Sequence, residues 1–218
     1  MRKSNIFSIF LISLIVFSPF FAVSSANISV GVKRGDWIEY QVAEKGNPTP
    51  DYNITWARMN ITDVNGLKIT IDVQTVYANG TIYLEPQIHL DLAKGAIGDG
   101  FFIPANFNVG DQFYSEYQGN ITISSIRQLE AGGSQRTVVS ATSNPTTYYW
   151  DKQTGILISA TTNFPNFTLL TIASQTNLWR PQILGLDSTL FYIIIILIVV
   201  LAALVVISVW HLKVGLHR

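Results

Sequence analysis

Apolar and polar residues alternate along the middle of the chain with a period of two, which is the pattern of half-buried β-strands. From Leu67 to Val73, apolar residues alternate with Lys, Thr and Asp, so that one face of the segment is apolar and the other polar. Helical periodicity is hard to find in this region. The pattern predicts strands at residues 37–42, 54–61, 67–77, 81–90, 112–117, 121–128, 136–141, 146–150, 156–162 and 167–174.

Turn residues separate these strands at short intervals. The Asn-Gly pairs at 65–66 and 79–80 tolerate positive φ and therefore predict tight hairpins, which join three strands into a meander. Asp151 and Gly155 predict a bulged hairpin, in which the Asp side chain bonds the N–H groups ahead of it and the Gly takes the left-handed conformation. The fold class is all-β, and the pattern is compatible with a curved antiparallel sheet or half-barrel and with a two-layer β-sandwich.

A different pattern ends the chain. From Leu190 to Trp210 the residues are almost all apolar, and about twenty such residues in a helix cross the hydrocarbon layer of a membrane. Asp187 and Ser188 stand just before this stretch, and either is suited to bond the first free N–H groups of this helix. Lys213 and Arg218, with no acidic residue beside them, predict a cytoplasmic C-terminus.

The N-terminus has the features of a secretory signal peptide. Arg2 and Lys3 precede a short apolar block, and small residues follow it up to Ala26. An uncleaved first membrane span is the alternative, and both interpretations export the middle of the chain. The predicted divisions are a signal peptide at 1–26, an exported β domain at 27–178, a juxtamembrane linker at 179–189, a transmembrane helix at 190–210 and a cytoplasmic tail at 211–218.

Composition narrows the location and the chemistry. The exported part carries ten Lys and Arg against fourteen Asp and Glu, a net charge of −4, and it has no basic cluster of the kind that binds nucleic acid. There is no cysteine, so the domain depends on its core rather than on disulfides. The number of N-x-Ser/Thr sequons suggests a glycosylated cell-surface protein, with acceptors at Asn27, Asn53, Asn60, Asn79, Asn120 and Asn166.

Two of these sequons also constrain a strand. Asn53 and Asn60 would face opposite sides of one regular strand, and a sugar cannot occupy a buried side chain. We therefore expect them at its two ends, with regular strand only between Ile54 and Met59.

Residues for catalysis are scarce. The exported part has one histidine, His89, which lacks a nucleophile motif nearby, and without cysteine the usual Cys and His zinc sites are excluded. Asp91 precedes the Gly-rich stretch at 94–100 and Asp99 lies near its end, but calcium-loop spacing is absent, which favours a flexible loop over a metal site. We predict no catalytic residues, no metal and no cofactor, and thus a protein that is not an enzyme.

Aromatic residues are abundant and offer candidate ligand contacts. Trp37, Trp56, Tyr148 and Trp150 lie on predicted strands, where rings stack on sugars, line apolar pockets or simply pack in the core.

Several segments carry a family resemblance. Residues 32–42, 103–111 and 149–157, followed by one C-terminal span, resemble uncharacterised archaeal membrane-anchored surface proteins with an exported β domain. The hairpin from Asp151 to Gly155 is also similar to one in periplasmic lipoprotein carriers, whose curved sheet covers an apolar cavity.

These features predict a single-pass cell-membrane protein with an extracellular N-terminal domain. The first hypothesis is a non-enzymatic binding or structural domain whose partner is an envelope protein or a glycan. The alternative is a tethered carrier that binds a lipid or another apolar ligand in a half-barrel. A hydrolase with paired carboxylates is a third, weaker hypothesis.

Overall fold

A computed structural model describes residues 28–46 and 53–215, with side chains through Ile207. The predicted signal peptide, Asn27 and the last three residues of the tail lie outside these ranges. The described residues form thirteen strands and one helix. The elements are β1 (Trp37–Gly46), β2 (Ile54–Asn65), β3 (Lys68–Tyr77), β4 (Ile82–Asp91), β5 (Gln112–Ser115), β6 (Gly119–Thr122), β7 (Ser125–Ala131), β8 (Ser134–Ser143), β9 (Thr146–Asp151), β10 (Leu157–Asn163), β11 (Phe167–Thr176), β12 (Gln182–Ile183), β13 (Leu186–Asp187) and α1 (Ser188–Gly215).

Nine strands form one open antiparallel sheet in the order β4-β3-β2-β1-β11-β10-β9-β8-β7. Two meanders, β1–β4 and β7–β11, are joined where the first strand pairs with β11. The prediction of an antiparallel all-β domain is therefore confirmed, as is the β2-β3-β4 meander. Among the described strands, β4 and β7 are the free edges of this sheet, so the sheet is not a closed barrel.

The sheet curls at its C-terminal half. Strands β7 and β11 are four positions apart, which would separate them by about 19 Å in a flat sheet. Their Cα atoms nevertheless approach within 8 Å. The turn after β7 reaches the end of β11, where a Cβ on Gly132 would lie 3.5 Å from Cγ2 of Thr176.

Strand β2 is longer than predicted. It continues to Asn65, so Asn60 lies inside the strand rather than at its end, and that prediction is wrong. Register shifts near Thr55 and Thr62 change the alternation that the parity argument assumed to be regular. Asn53 does stand directly before the strand, as expected.

The predicted strand at 121–128 is two strands of different sheets. β6 pairs with β5 in a small hairpin, whereas β7 pairs with β8 in the main sheet. The chain changes partner at Ile123 and Ser124, whose N–H groups donate to Asp111 and Ser140 carbonyl oxygens at 2.9 Å and 2.8 Å. Because the alternation of side chains continues through this point, the pattern showed one strand.

The β9–β10 hairpin has the predicted chemistry. Asp151 accepts hydrogen bonds from the backbone N–H and the hydroxyl of Thr154, both at 2.8 Å. Gly155 has φ of +73°, and the register shifts between Leu157 and Ser159. Arg136 donates to the buried Asp151 carboxylate at 2.8 Å, which holds this turn against β8.

The long connection from β4 to β5 covers part of the inner face of the sheet, which is the face that carries Tyr40 and Trp150. The Trp150 ring is fully buried and donates from Nε1 to the carbonyl oxygen of Gly100 at 2.6 Å. Phe113 packs edge-on against Trp150, with ring centroids 5.6 Å apart. A Cβ on Gly100 would lie 2.7 Å from the Tyr148 ring, so the Gly-rich stretch is a closely packed cover.

Between the sheet and the C-terminal helix lies a small hairpin, β12–β13, within the predicted juxtamembrane linker. Trp179 donates from Nε1 to the Ala131 carbonyl oxygen at 2.9 Å, and the Gln182 N–H donates to Gly133 at 2.7 Å. The segment is thus attached to the β7–β8 turn. The Asp187 carboxylate accepts the Thr189 N–H at 2.9 Å, so Asp187 is the cap among the two predicted candidates.

The helix α1 has 28 residues. Within it, the most apolar 18 residues of the segment Ser188–Ile207 have a mean hydropathy of 3.6, and none of these 18 is buried against the rest of the chain. The helix is long and apolar enough to span a membrane.

Candidate functional site

Two of the four predicted ligand-contacting aromatics lie on the outer face of the sheet. Trp37 on β1 and Trp56 on β2 are half-buried there. The guanidinium of Arg58 lies 4.2 Å from the centroid of the Trp37 ring and pairs with Glu39 at 3.0 Å. Trp37 therefore takes part in a cation–π contact within the sheet surface.

The other two predicted aromatics lie in the core. Tyr148 and Trp150 stack with ring centroids 5.0 Å apart on the inner face of β9, and they are 5% and 0% exposed. Gln118 donates to the Tyr148 hydroxyl at 2.7 Å. The structure does not bring these two rings together with Trp37 and Trp56, because the pairs lie on opposite faces.

The sequons differ in exposure. Asn79, Asn120 and Asn166 are exposed, whereas Asn53 and Asn60 are half-buried. Asn60 accepts a hydrogen bond from Nε of Arg58 at 3.1 Å. Glycosylation stays a prediction at each of these positions.

A cavity of about 380 Å³ lies on the inner face of the N-terminal half of the sheet. Its volume is within the range of about 300–1,000 Å³ that is typical of small-molecule sites. We call it the inner-face pocket. It is lined by Tyr40, Val42, Ile54, Ala57, Met59, Val73, Thr75, Asp99, Phe101, Leu169 and Thr171.

The pocket exists because the inner-face side chains are small where the covering connection ends. Register places Thr75, Ala57 and Tyr40 in one row across three neighbouring strands. Thr and Ala fill little of the space above the sheet. In the C-terminal half, the row that pairs Ala141 with Tyr148 is filled by an aromatic ring.

Tyr40 and Phe101 form the wall between the pocket and the filled core. Their rings meet edge to face with centroids 5.2 Å apart. The Tyr40 hydroxyl donates to the Leu157 carbonyl oxygen at 3.0 Å. Burial raises the pKa of the Tyr40 phenol well above its usual value, so Tyr40 is neutral at physiological pH.

Polar atoms are few around the pocket. The Thr75 hydroxyl is buried and has no hydrogen-bond partner among the described residues. Asp99, which is exposed, is the one lining residue with a full charge. Glu44 stands two positions beyond Val42 on the same face of β1, opposite Leu169, and its Oε1 atom is likewise buried without a described partner.

The location of the pocket relative to the helix follows from strand direction. The pocket uses the first half of β2, the first half of β11 and the second half of β3. These segments lie toward the sheet rim at which β11 begins, whereas α1 follows from the rim at which β11 ends. The pocket therefore occupies the half of the sheet further from the start of the helix.

The predicted catalytic candidates are not assembled into a site. His89 is exposed on β4 and its Nδ1 lies 3.1 Å from the Thr70 hydroxyl. Within residues 28–46 and 53–215 no three His, Asp or Glu side chains are grouped so as to hold a metal ion. That the protein is not an enzyme stays a prediction.

The sequence analysis did not predict that these residues line a pocket, although the sequence contains one signal of a cavity. The alternating apolar positions of β3 run through Ile69, Ile71 and Val73 and then change to Thr75, a small polar residue on the same face. The neighbouring position in register is Ala57. Two small residues side by side on the apolar face of a meander indicate a gap that something else has to fill.

The fold and the pocket define a class of protein: an open, curled antiparallel β-sheet domain with an apolar pocket, followed by a helix of membrane-spanning length. No protein-family model matches the sequence, and a comparison with curated proteins finds no significant match. The resemblances to archaeal surface proteins and to lipoprotein carriers stay predictions.

Proposed function

We propose that this protein is a membrane-tethered binding domain that holds an apolar or amphiphilic small molecule in the inner-face pocket. The observation that carries the proposal is the pocket itself, which is almost wholly apolar and lies on a sheet face whose other half is filled by aromatic side chains. Exposing such a surface to water is unfavourable, and a bound apolar molecule would remove it from water.

The tether supports a role at the membrane surface. The apolar helix, the basic residues after it and the signal-peptide pattern favour an extracellular domain with a cytoplasmic C-terminus. The β12–β13 hairpin connects the helix directly to the sheet, with Ser188 N–H donating to the Pro181 carbonyl oxygen at 3.1 Å. Such a domain would hold its ligand near the membrane while the protein itself stays attached to the membrane. Binding of an envelope protein or a glycan stays a prediction from the sequence.

Probe binding by the full chain in lipid nanodiscs tests this function. An uncharged naphthylamine dye, which fluoresces in apolar surroundings, is titrated against the wild type and against Ala57→Phe, which places a ring in the pocket. Empty nanodiscs give the background from lipid. We expect saturable binding by the wild type and its loss in Ala57→Phe.

Ala43→Phe is the matched control, because Ala43 is exposed on the opposite face of β1. It should bind the dye as the wild type does. Equal binding by all three proteins, or none above the nanodisc background, would contradict the proposal.

A further inference from the structure

The surroundings of the pocket have one sign of charge. Asp99 is the single charged residue among the lining side chains, and Tyr40 is neutral. Glu44 lies two positions beyond Val42 on the same face of β1 and carries the same sign of charge. Lys45 of β1 and Arg58 of β2, which are basic, stand at outer-face positions.

We infer that the inner-face pocket selects uncharged or cationic amphiphiles and disfavours carboxylates and phosphates. This inference rests on the proposed function and specifies the chemistry of its ligand. An anionic head group would be repelled by the Asp99 carboxylate, because no Lys or Arg is among the lining residues to offset it. An ammonium head group would be attracted to Asp99. Since Asp99 is exposed, we expect discrimination of about tenfold that weakens with added salt.

Three amphiphiles that share an alkyl tail and differ in head group test the selectivity: decanol, decylamine and decanoate. Each displaces the naphthylamine dye from the full chain in nanodiscs of zwitterionic lipid. For the wild type we expect decylamine and decanol to compete about tenfold better than decanoate. Asp99→Asn should bring decanoate close to decanol, and Asn tolerates the φ of +52° at this position.

A matched control tests whether the effect belongs to Asp99. Glu116→Gln removes one negative charge at an exposed position of the β5–β6 turn and should leave all ratios unchanged. Thermal unfolding of each variant checks that the domain is folded.

The outcomes distinguish a failure of the charge selectivity from a failure of ligand binding itself. Equal competition by decanoate and decylamine in the wild type, or an unchanged ratio in Asp99→Asn, would overturn the selectivity while leaving the pocket as a binding site. If none of the three amphiphiles displaces the dye, the proposed function fails and the selectivity with it.

Discussion

The two halves of the sheet have the same architecture and differ in what fills their inner faces. Both β1–β4 and β7–β11 are antiparallel meanders with an apolar inner side. In the C-terminal half, Trp150, Tyr148 and Phe113 fill the space beneath the cover. In the N-terminal half, Ala57 and Thr75 leave a cavity of about 380 Å³. The difference shows that side-chain volume in one or two rows decides whether such a face is filled or leaves a cavity.

The largest loss of stability should follow from removing a large side chain from the filled C-terminal half. Trp150→Ala removes a fully buried ring and its hydrogen bond to Gly100, and we expect a loss of about 3–5 kcal/mol in the free energy of unfolding. Phe101→Ala, on the pocket wall, should cost about half as much because Phe101 is only half-buried. Urea unfolding of the full chain in detergent, followed by circular dichroism, measures both. Equal losses of unfolding free energy in the two variants would contradict the view that the C-terminal half is a filled core and the N-terminal half is not.

Adding side-chain volume should destabilise the filled C-terminal half more than the N-terminal half, which has space for it. Ala141 is fully buried opposite Tyr148, so Ala141→Phe overpacks the core and should destabilise the domain by about 1–3 kcal/mol or more. Ala57→Phe enters the pocket and should change stability by less than about 1 kcal/mol. The same unfolding assay compares the two variants, and a larger loss for Ala57→Phe would show that the cavity is not available space.

Two threonines provide a smaller and more specific comparison. Thr146 and Thr162 hydroxyls bond each other at 2.9 Å in the filled half, so Thr146→Val should cost about 1 kcal/mol. Thr75→Val removes a hydroxyl without a described partner and should be neutral or stabilising by up to about 1 kcal/mol in ligand-free protein. Differential scanning calorimetry would detect the opposite signs. A clear loss for Thr75→Val would mean that its hydroxyl is satisfied in the free protein.

The last comparison concerns the pH dependence of stability at Tyr40, on the wall between the halves. Burial raises the pKa of Tyr40, so above about pH 10 the unfolded chain loses this proton while the folded domain keeps it. The unfolded state then binds fewer protons, and stability falls as pH rises, by up to about 1.4 kcal/mol per pH unit. Tyr40→Phe should cost about 1 kcal/mol at pH 7 and lack this alkaline loss.

Comparing the pH dependence of unfolding in the wild type and Tyr40→Phe between pH 8 and 11, which brackets the ordinary tyrosine pKa, cancels the other tyrosines. Parallel curves would show that Tyr40 ionises as freely in the folded domain as in the unfolded chain.

Much of the fold was predictable because it is local. Strand alternation, the two Asn-Gly turns and the hairpin from Asp151 to Gly155 depend on neighbouring residues, and the helix depends on composition alone. The pairing of β1 with β11 joins residues far apart in the chain, and no local pattern encodes it. The change of partner at Ile123 was missed for the same reason.

The pocket was less predictable than the strands. It depends on how far the connection at 92–111 extends over the inner face, which is decided by contacts such as that between Trp150 and Gly100. The aromatic pattern predicts ligand contacts at Trp37 and Trp150, but Trp37 lies on the outer face and Trp150 in the core. The residues that matter at a cavity are the small ones, and small residues are inconspicuous in a sequence.

Photolabelling tests the central claim, that the N-terminal half of the sheet holds an apolar molecule, most directly. A diazirine derivative of decanol is irradiated with the full chain in nanodiscs, and the labelled peptides are mapped by mass spectrometry. We predict labels within residues 54–59, 73–75 and 169–171 that disappear with excess decanol and in Ala57→Phe. Labels confined to α1, or labels in the sheet that excess decanol does not remove, would contradict the claim.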